Sequence, residues 1–439
     1  MKTTIAKTFL PAAVLLAVAV FAGNIAAQAQ TLTTIHSFPS NGSDGQEPYP
    51  QHLAIDSHGA VYGTTVTGGS TQSEWGTVLQ LVPPANPGGA WTENMIYTFQ
   101  GWYPTGDGAQ PQSGVVFDQN GNLYGTTYFG GNGQACGGGC GIVYELSPPA
   151  QPGDPWTRTI IYTFQGGYDG YRPGEVTFGP NGSLYGTTQF GGVAGVHCQG
   201  GSRDFVGCGT VFELTPPAKP GGKWTKTILH NFPAYAGDGL TPTPDVIFDS
   251  QGNLYGAAGG GGTSGYGMVF QLTPTSKEAV LHDFTGRSDG GYPGGGLVLG
   301  ANGVLYGAAS YSGVLNASGV VFQLTPPTGG KGAWSETVLY TFPAFGRDGT
   351  TPGSTLALDQ TGNLYGTTDF GGSSNCGTVF KLAPASGGGE WTETILQDWA
   401  CANGGSTNES RVVYDNGLLY GTTIYLGSKN LGQVFTLVP

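Results

Sequence analysis

The sequence contains few charged residues and few residues that favour helices. Only 10% of its 439 residues are charged, with 15 Lys and Arg against 28 Asp and Glu, and only three are Met. This shortage of Lys, Glu and Arg argues against long helices. The net charge of −13 argues against a nucleic-acid partner or an anionic membrane, because both require a basic surface. Disorder is also excluded, since 38% of the residues are hydrophobic and 12% are aromatic.

Several motifs of catalytic chemistry are missing as well. The sequence has no Cys-x-x-Cys pair, no His-x-x-x-His, no Gly-x-Ser-x-Gly elbow and no phosphate-binding loop. Zinc hydrolases, serine hydrolases and nucleotide enzymes are therefore unsupported. Three of the six histidines, His36, His230 and His282, occupy a repeated position that elsewhere holds Tyr97, Tyr162 or Tyr340. We interpret these three histidines as structural, and we predict no metal site.

Residues 1–29 have the pattern of a secretory signal peptide. Lys2 and Lys7 precede an apolar run over 9–22, and Ala27-Gln28-Ala29 forms a small-x-small cleavage pattern. A retained membrane anchor is the alternative, but the run is shorter than the roughly 20 residues of a spanning helix. We expect a mature chain of residues 30–439 that is one domain, has no membrane span, and is secreted to the periplasm or the extracellular space.

Glycine, aromatic and β-branched residues are abundant, and they recur in seven copies of one unit. A Tyr-Gly pair recurs at spacings of 51 to 70 residues. These pairs begin at Tyr62, Tyr124, Tyr185, Tyr255, Tyr306, Tyr365 and Tyr420. Around each pair lie four short segments whose apolar residues alternate or end in an aromatic, as expected for strands. The last copy joins its first two segments by Asn416-Gly417, which is a strong hairpin signal.

The two ends of the chain complete one unit. After the leader, the chain opens with a lone fourth-type segment over 33–38, and it ends with a third-type segment over 432–437. Complementary ends of this kind predict a closed ring, because pairing them removes an open sheet edge. The sequence therefore predicts an all-β, seven-bladed β-propeller with four strands per blade, closed by its N-terminal strand. A linear β-solenoid is the alternative, but its repeats are shorter and it needs capping ends.

The repeated unit also resembles a known family. Gly362 to Gly372 reads Gly-Asn-Leu-Tyr-Gly-Thr-Thr-Asp-Phe-Gly-Gly, and Gly377 to Leu382 reads Gly-Thr-Val-Phe-Lys-Leu. This pattern resembles the Gloeo/Verruco (GloVer) tandem repeat of exported bacterial proteins over nearly the whole mature chain. The resemblance implies export and a repeat architecture, and it implies no particular reaction.

Six of the seven inter-blade loops contain the motif Asp-Gly-x-x-Pro. The motifs begin at Asp44, Asp107, Asp169, Asp238, Asp289 and Asp348. They could form a rim of carboxylates that binds a cation or sugar hydroxyls. The alternative is a turn in which Asp caps nearby amides, Gly takes positive φ and Pro keeps the next strand extended. Strict repetition favours the turn, because a binding site usually breaks symmetry.

Two further groups are candidates for ligand binding on the face that carries the inter-blade loops. Aromatic residues after the Tyr-Gly strand could stack on sugar rings or pack on the neighbouring blade. They are Phe129, Phe190, Tyr311, Phe370 and Tyr425. The clearest break in symmetry is the loop over 189–208, which carries His197, Arg203, Asp204 and Phe205. Its alternative interpretation is a tolerated surface insertion.

Six cysteines in an exported chain predict disulfides. Cys140, Cys208 and Cys376 each precede the Gly that starts a third strand, and their expected mates are Cys136, Cys198 and Cys401. Fifteen connectivities are possible for six cysteines, so this pairing rests on proximity alone.

These features lead to two functional hypotheses. The first is an exported, monomeric binding propeller without a cofactor, which holds a glycan, peptide or envelope component on its loop-rich face. The second is a calcium-dependent lactonase-like or phosphotriesterase-like hydrolase, or a lyase, at the central pocket. An enzyme of this kind requires a non-repeated cluster of Asp, Glu, Asn or His on the axis.

Overall fold

Seven antiparallel sheets surround a common axis in the computed structural model. It describes residues 31–439 except 40–43, 49–51, 70–73, 102–105, 134–135, 152, 194–206, 220, 233–236, 386, 402–410 and 428–430. The sheets form a seven-bladed β-propeller, and most blades have four strands. The predicted fold class is therefore confirmed. Only three single-turn 3-10 helices occur within the described ranges, at Gly167–Asp169, Ala301–Gly303 and Thr328–Gly330.

The strands have the following bounds. The first seventeen are β1 (Leu32–Ser37), β2 (Gly45–Gln46), β3 (Ala54–Ile55), β4 (Val61–Thr65), β5 (Thr67–Gly68), β6 (Thr77–Val82), β7 (Thr92–Thr98), β8 (Val116–Phe117), β9 (Leu123–Thr127), β10 (Ile142–Ser147), β11 (Thr157–Thr163), β12 (Tyr171–Phe178), β13 (Leu184–Phe190), β14 (Thr210–Thr215), β15 (Thr225–Asn231), β16 (Gly239–Pro242) and β17 (Ile247–Phe248). The others are β18 (Leu254–Gly261), β19 (Met268–Leu272), β20 (Glu278–Asp283), β21 (Gly291–Pro293), β22 (Val298–Leu299), β23 (Leu305–Tyr311), β24 (Ala317–Thr325), β25 (Ser335–Pro343), β26 (Gly349–Thr350), β27 (Ala357–Leu358), β28 (Leu364–Thr368), β29 (Phe370–Gly371), β30 (Thr378–Ala383), β31 (Thr392–Asp398), β32 (Val412–Asp415), β33 (Leu418–Thr423) and β34 (Gln433–Leu437).

Each blade is a meander that runs from the axis to the rim. From the innermost strand outward, blades 1, 2 and 3 are β3-β4-β6-β7, β8-β9-β10-β11 and β12-β13-β14-β15. In blades 4 and 5 two short strands share the innermost place, with β16 and β17 both pairing β18 and with β21 and β22 both pairing β23. Blade 6 is β27-β28-β30-β31. The short pairs β2-β5 and β26-β29 lie outside these blades.

The two ends of the chain close the ring. Strand β1 pairs antiparallel with β34, from Leu32 opposite Leu437 to Ser37 opposite Gln433. The Thr34 hydroxyl also donates to Gln433 Oε1 at 3.0 Å. Blade 7 is therefore β32-β33-β34-β1, with its outermost strand taken from the N-terminal end. This pairing covers the edge of β34, which would otherwise expose unpaired backbone groups.

The Tyr-Gly anchor is explained by its contacts within the blade. In blade 6, a Cβ at Gly366 would crowd the ring of Phe380 on the next strand, so the aromatic ring requires glycine there. The neighbouring Tyr365 donates its hydroxyl to Asp359 at 2.9 Å, and Asp359 also accepts from the amides of Thr361 and Asn363. The glycine of the Tyr-Gly pair thus leaves space for a core aromatic ring, and the tyrosine stabilises the hairpin turn through its hydroxyl.

Aromatic rings connect each blade to the next. An aromatic residue at the end of the outermost strand, or directly after it, packs edge-on against a ring of the third strand in the following blade, with centroids 5.0 to 5.4 Å apart. The six pairs are Phe99 with Tyr144, Phe164 with Phe212, Phe232 with Phe270, Phe284 with Phe322, Phe342 with Phe380, and Trp399 with Phe435. The core is therefore a series of blade junctions, each buried between two sheets.

The Asp-Gly-x-x-Pro motif forms a second contact between blades. Its proline packs on the glycine that opens the third strand of the preceding blade, as Pro173 does on Gly141. The residue before the proline has positive φ in all six motifs, at Glu47, Gln110, Arg172, Thr241, Tyr292 and Thr351. Positive φ at the motif glycine, which was expected throughout, occurs only at Gly108, Gly170 and Gly290. The positive φ of this turn therefore falls mainly on the residue before the proline, which carries a side chain. The backbone amide of that residue donates a hydrogen bond to the preceding blade, as Arg172 does to the Cys140 carbonyl at 3.1 Å.

Disulfides join Cys136 to Cys140 and Cys376 to Cys401, with Cα atoms 5.3 and 6.1 Å apart. Cys208 is also disulfide-bonded. Its expected mate, Cys198, lies outside the described residues. Among the described residues, the structure has no helix that is long and apolar enough to span a membrane.

Candidate functional site

Seven equivalent residues line the axis, one within or just before the innermost strand of each blade. Each directly precedes a buried apolar residue, which is Leu53, Val115, Val176, Val246, Leu297, Leu356 or Val412. The seven axial residues are His52, Gly114, Glu175, Asp245, Gly296, Thr355 and Arg411. Blades 3 and 4 are the farthest from blade 7 in the ring, so a contact of blade 7 with either of them is made at the axis. Unlike the strands around it, this position is not repeated in sequence.

Arg411 lies between two carboxylates at the axis. Its Nη1 is 3.3 Å from Glu175 Oε2 and 3.2 Å from Asp245 Oδ2. The side chains of Arg411, Glu175 and Asp245 are 16%, 8% and 10% exposed. One buried cation thus neutralises two acids from neighbouring blades.

Small residues make room for this cluster. A Cβ at Gly296 would overlap the carboxylate of Asp245, so glycine is required beside that acid. The Gly296 amide donates to Thr355 Oγ1 at 2.7 Å, and the Thr355 hydroxyl donates to Asp245 Oδ2 at 3.3 Å. Asp245 Oδ2 is therefore held by both the Thr355 hydroxyl and the Arg411 guanidinium.

The cluster perturbs the acid-base properties of two members. Burial raises the pKa of Glu175 to about 7, with Asp245 adding to the effect and Arg411 opposing it. Burial, together with the charge of Arg411, lowers the pKa of His52 to about 3. His52 Nδ1 is buried and has no hydrogen-bond partner among the described residues. At neutral pH the axis therefore holds a neutral imidazole and a carboxyl group that can gain or lose a proton.

A cavity of about 310 Å³ lies on the loop-rich face next to this cluster. Gly174 and Pro244, which directly precede Glu175 and Asp245, form part of its wall. The polar side chains that line it are those of Gln112, Tyr128, Arg172, Thr187, Gln189, Thr241 and Thr243. The cavity therefore presents neutral amides and hydroxyls with a single cationic side chain, and these residues come from blades 2 to 4 or the loops that lead into them.

An aromatic group flanks the cavity at blades 2 and 3. The Arg172 guanidinium lies 4.5 Å from the centre of the Tyr128 ring and 5.7 and 5.5 Å from those of Phe129 and Phe190. Tyr128 donates its hydroxyl to Gln189 Oε1 at 2.6 Å. Phe129 and Phe190, two of the predicted ligand contacts, are partly buried here.

A second aromatic group lies at blades 4 and 5. The rings of Tyr266 and Tyr311 are stacked, with centroids 5.6 Å apart, and Tyr292 lies 5.4 and 5.8 Å from them. Tyr292 is 44% exposed and Tyr311 is 39% exposed. Tyr292 holds a φ of 54°, which is uncommon for a bulky residue, and the next residue, Pro293, lines the cavity. This strained backbone presents an aromatic ring to solvent beside the cavity.

None of the five predicted aromatic residues is among the described residues that line this cavity. Phe370 and Tyr425 are 43% and 42% exposed. His197, Arg203, Asp204 and Phe205 lie outside the described residues.

The repeated aspartates point into the blade junctions rather than into the cavity. Asp107 accepts from the Tyr97 hydroxyl and the Gln100 amide, both at 2.7 Å. Asp169 accepts from the Tyr162 hydroxyl and the Gln165 amide at the same distance. Asp44, Asp238 and Asp289 likewise accept nearby amides at 2.7 Å, and Asp348 accepts from the Tyr340 hydroxyl at 3.1 Å. All six therefore hold local structure.

Larger hollows on the opposite face follow the repeat. One of about 800 Å³ lies between the Asp249 turn and Trp334, and another of about 620 Å³ lies between the Asp118 turn and Trp224. In each, the Trp ring contacts the anchor tyrosine, Tyr255 or Tyr124, with centroids about 6 Å apart. Because the same groove recurs, these hollows belong to blade packing. The axial cavity is the better candidate site.

The sequence analysis did not find the axial cluster, although the sequence contains a signal for it. Aligning the seven units at this axial position gives His, Gly, Glu, Asp, Gly, Thr and Arg. Varied polar residues in an otherwise repeated frame mark the place where symmetry breaks. The two large acids, Glu175 and Asp245, occur in consecutive blades, and their cation is 236 residues from Glu175.

Solved structures with a similar chain path share only the fold. Puromycin hydrolase is 12% identical with a TM-score of 0.49, and the match covers 86% of this chain and 50% of that one. A luciferin-regenerating enzyme is 12% identical with a TM-score of 0.40, covering 94% and 96%. PorZ of Porphyromonas gingivalis, described as a surface component of the type-IX secretion system, is 13% identical with a TM-score of 0.48, covering 91% and 48%.

No curated protein matches the chain. The Gloeobacter/Verrucomicrobia repeat model matches residues 19–196 and 192–435, which together include nearly the whole propeller. The chain therefore belongs to the Gloeobacter/Verrucomicrobia repeat family.

Proposed function

We propose that this protein is an exported binding propeller that holds a glycan in the axial cavity of its loop-rich face. The observation that carries the proposal is the cavity of about 310 Å³, whose wall holds amide, hydroxyl and guanidinium groups together with the Tyr128 ring. Three more aromatic residues, Phe129, Phe190 and Tyr292, directly adjoin wall residues in the sequence. The ligand belongs to the extracellular space or the cell envelope. The disulfides support export, because such bonds persist in oxidising compartments.

A sugar ring matches this combination of groups. Its hydroxyls exchange hydrogen bonds with amides such as those of Gln112 and Gln189, and its apolar face stacks on aromatic rings. Tyr292 and Tyr311 offer exposed rings at one edge of the cavity. Arg172 and Tyr128 supply a cation and a hydroxyl at the other edge. A ligand of two or three sugar units would reach both edges.

A glycan array tests this proposal, with the purified mature chain screened with and without a chelator. We expect selective retention of a few glycans that does not depend on the chelator. Tyr292→Ala and Gln189→Ala should each weaken that binding about tenfold, as expected for truncation of an important interface side chain. Tyr168→Ala is the matched control, because Tyr168 is 73% exposed and lies outside the cavity wall and both aromatic groups. Array binding that both cavity variants leave unchanged would refute the proposed site.

Acid-base catalysis at the axis is the second candidate function. It is favoured by Glu175, whose pKa of about 7 suits proton transfer near neutral pH. A calcium-dependent hydrolase is less well supported, because a calcium ion would have to displace Arg411 from both carboxylates. Lactones, phosphotriesters and uronate-containing glycans should be tested for turnover with and without calcium. Turnover that Glu175→Gln abolishes would establish catalysis in place of binding alone.

A further inference from the structure

Six blade junctions bring together the same three positions. A Tyr or His near the end of one blade's outermost strand meets the Asp of the following turn and a residue near the start of the next blade's outermost strand. The third positions hold Glu93, Arg158, Lys226, Glu278, Glu336 and Glu393. The first two positions vary little, whereas the third carries either charge.

In two junctions the third residue is a cation paired with the aspartate. Arg158 Nη2 lies 2.7 Å from Asp107 Oδ1, and Lys226 Nζ lies 2.9 Å from Asp169 Oδ1. The side chain of Lys226 is only 4% exposed, and that of Asp107 only 3%. These junctions show that the space beside the aspartate holds a positive charge.

Three other junctions place a glutamate there and a histidine opposite, and in two of them the three side chains converge. His36 Nε2 is 3.2 Å from Asp44 Oδ2 and 4.0 Å from Glu93 Oε2. His230 Nε2 is 3.5 Å from both Asp238 Oδ1 and Glu278 Oε1. In each group the imidazole nitrogen and two carboxylate oxygens lie within 4.8 Å of one another.

Several of these atoms are buried without a hydrogen bond. His36 Nε2, His230 Nε2 and Glu278 Oε1 have no hydrogen-bond partner in the described part of the chain, although the distances above are short. The equivalent atoms His282 Nε2, Glu336 Oε1 and Glu393 Oε1 in the other junctions also have none, so the convergence of three ligand atoms is what distinguishes these two groups. Facing carboxylates without a cation are costly, and buried polar atoms normally have partners.

We propose that each of these two groups binds a divalent transition-metal ion such as Zn²⁺. The ligands are His36, Asp44 and Glu93 at the first site, and His230, Asp238 and Glu278 at the second. Zinc bonds of about 2.0–2.2 Å in a tetrahedron place the ligand atoms roughly 3.3–3.6 Å apart, close to the 3.5 Å separations around His230. A water molecule completes the coordination. The imidazole ligand favours zinc, nickel or copper over calcium or magnesium.

The metal ions would act as clamps between blades. His36 lies on β1, the strand that closes blade 7, whereas Glu93 lies on β7 of blade 1. The first ion therefore fastens the ring at its closure. The second joins His230 on β15 of blade 3 to Glu278 on β20 of blade 4. Both ions replace the cation that Arg158 and Lys226 supply elsewhere.

The junction of His282 provides a natural comparison. His282 Nε2 lies 3.6 Å from Asp289 Oδ2, but this group does not bring a third ligand atom within the same 4.8 Å limit among the described residues. We assign no ion to it.

The test is metal uptake by tag-free protein that has been stripped with a chelator and dialysed against micromolar Zn²⁺ or Co²⁺. We expect two ions per chain by elemental analysis and visible absorption bands from bound Co²⁺. His36→Gln and His230→Gln should each bind one ion, and the double variant none. His282→Gln should still bind two. Zinc should raise the Tm of the wild type by roughly 3–5 °C and leave that of the double variant unchanged.

Glu93→Arg and Glu278→Arg provide a second set of variants that imitate the Arg158 junction. We expect each to lose one ion while keeping a Tm close to that of the zinc-loaded wild type. The proposal is wrong if the stripped wild type binds no transition metal, or if the double histidine variant still binds two ions. Loss of an ion in His282→Gln would also overturn the assignment. Uptake is measured without a glycan, so its failure would leave the proposed function standing.

Discussion

Replacing Arg411 by methionine is the most direct perturbation of the axis. The variant keeps an apolar stem but removes the guanidinium that lies 3.3 and 3.2 Å from Glu175 and Asp245. Breaking a buried ion pair from one side costs about 3–5 kcal/mol, because the remaining charge is left uncompensated. Near pH 7.5 we expect Arg411→Met to lower the free energy of unfolding by at least about 3 kcal/mol.

The same variant has a predictable pH dependence. Glu175 already has a pKa raised to about 7 by burial, and losing Arg411 raises it further. At pH 5 the Glu175 carboxyl is therefore protonated in the variant, and only Asp245 remains as an unpaired charge. Above about pH 7 the folded wild type releases this proton whereas the folded variant retains it, so the loss of stability relative to the wild type should be smaller at pH 5 than at pH 7.5 and should grow further as the pH rises.

Urea unfolding followed by tryptophan fluorescence at pH 5 and pH 7.5 measures both effects. The control is the triple variant Glu175→Gln, Asp245→Asn, Arg411→Met, which has no charge at the axis and should recover most of the lost stability. A cost below about 1 kcal/mol at pH 7.5, within the range of an exposed ion pair, would refute this account of the axis. An equal cost at the two pH values would refute the role assigned to Glu175.

Three further predictions concern stability. Because the pKa of Glu175 is raised to about 7, the folded chain keeps a proton on Glu175 that the unfolded chain releases above about pH 4.5. The stability that this proton provides is therefore lost as the pH rises from about 4.5 to about 7. This change amounts to ~3 kcal/mol, and Glu175→Gln should remove it from a pH series of unfolding curves, whereas an unchanged slope would contradict the assignment. Gly141→Ala should lower the free energy of unfolding by ~3 kcal/mol or more, because its Cβ would overlap the proline ring of the next blade. The control Gly153→Ala has a similar φ of 95° but open space around it, and it should cost ~1 kcal/mol. Equal shifts in Tm for the two variants would refute the packing argument. Replacing both Cys376 and Cys401 by serine should cost ~2–4 kcal/mol in chemical denaturation, and no loss would mean that the bridge does not constrain the unfolded chain.

The fold could be predicted because its determinants are local and repeated. Each Tyr-Gly anchor sits beside its own turn and strand, so seven copies give seven independent indications of one blade. The complementary ends then indicate a ring. The axial cluster could not be derived in this way, because Arg411, Glu175 and Asp245 meet only after the ring brings distant blades together.

The predicted ligand-binding residues differ from those that line the cavity. Phe129 and Phe190 follow the Tyr-Gly strand in a repeated frame and lie 5.7 and 5.5 Å from the guanidinium of Arg172, which lines the cavity, and their role in binding stays a prediction. Tyr292 was missed because it lies inside the Asp-Gly-x-x-Pro turn, where sequence rules assign positive φ to glycine rather than to an aromatic residue. The histidines that form the proposed metal clamps replace tyrosine at one repeated position, which made a structural role the natural interpretation.

The pairing of β1 with β34 determines when the chain can finish folding. Thr34 and Gln433 are 399 residues apart, so the first strand to be synthesised must wait for the last before blade 7 is complete. Contacts of such long sequence separation form slowly, because the intervening chain must first be ordered. Until that moment the sheet that begins at β32 ends in a bare edge. A chain whose synthesis stops early would therefore expose an unpaired sheet edge that can pair with other chains. Premature termination should yield aggregates rather than a smaller propeller.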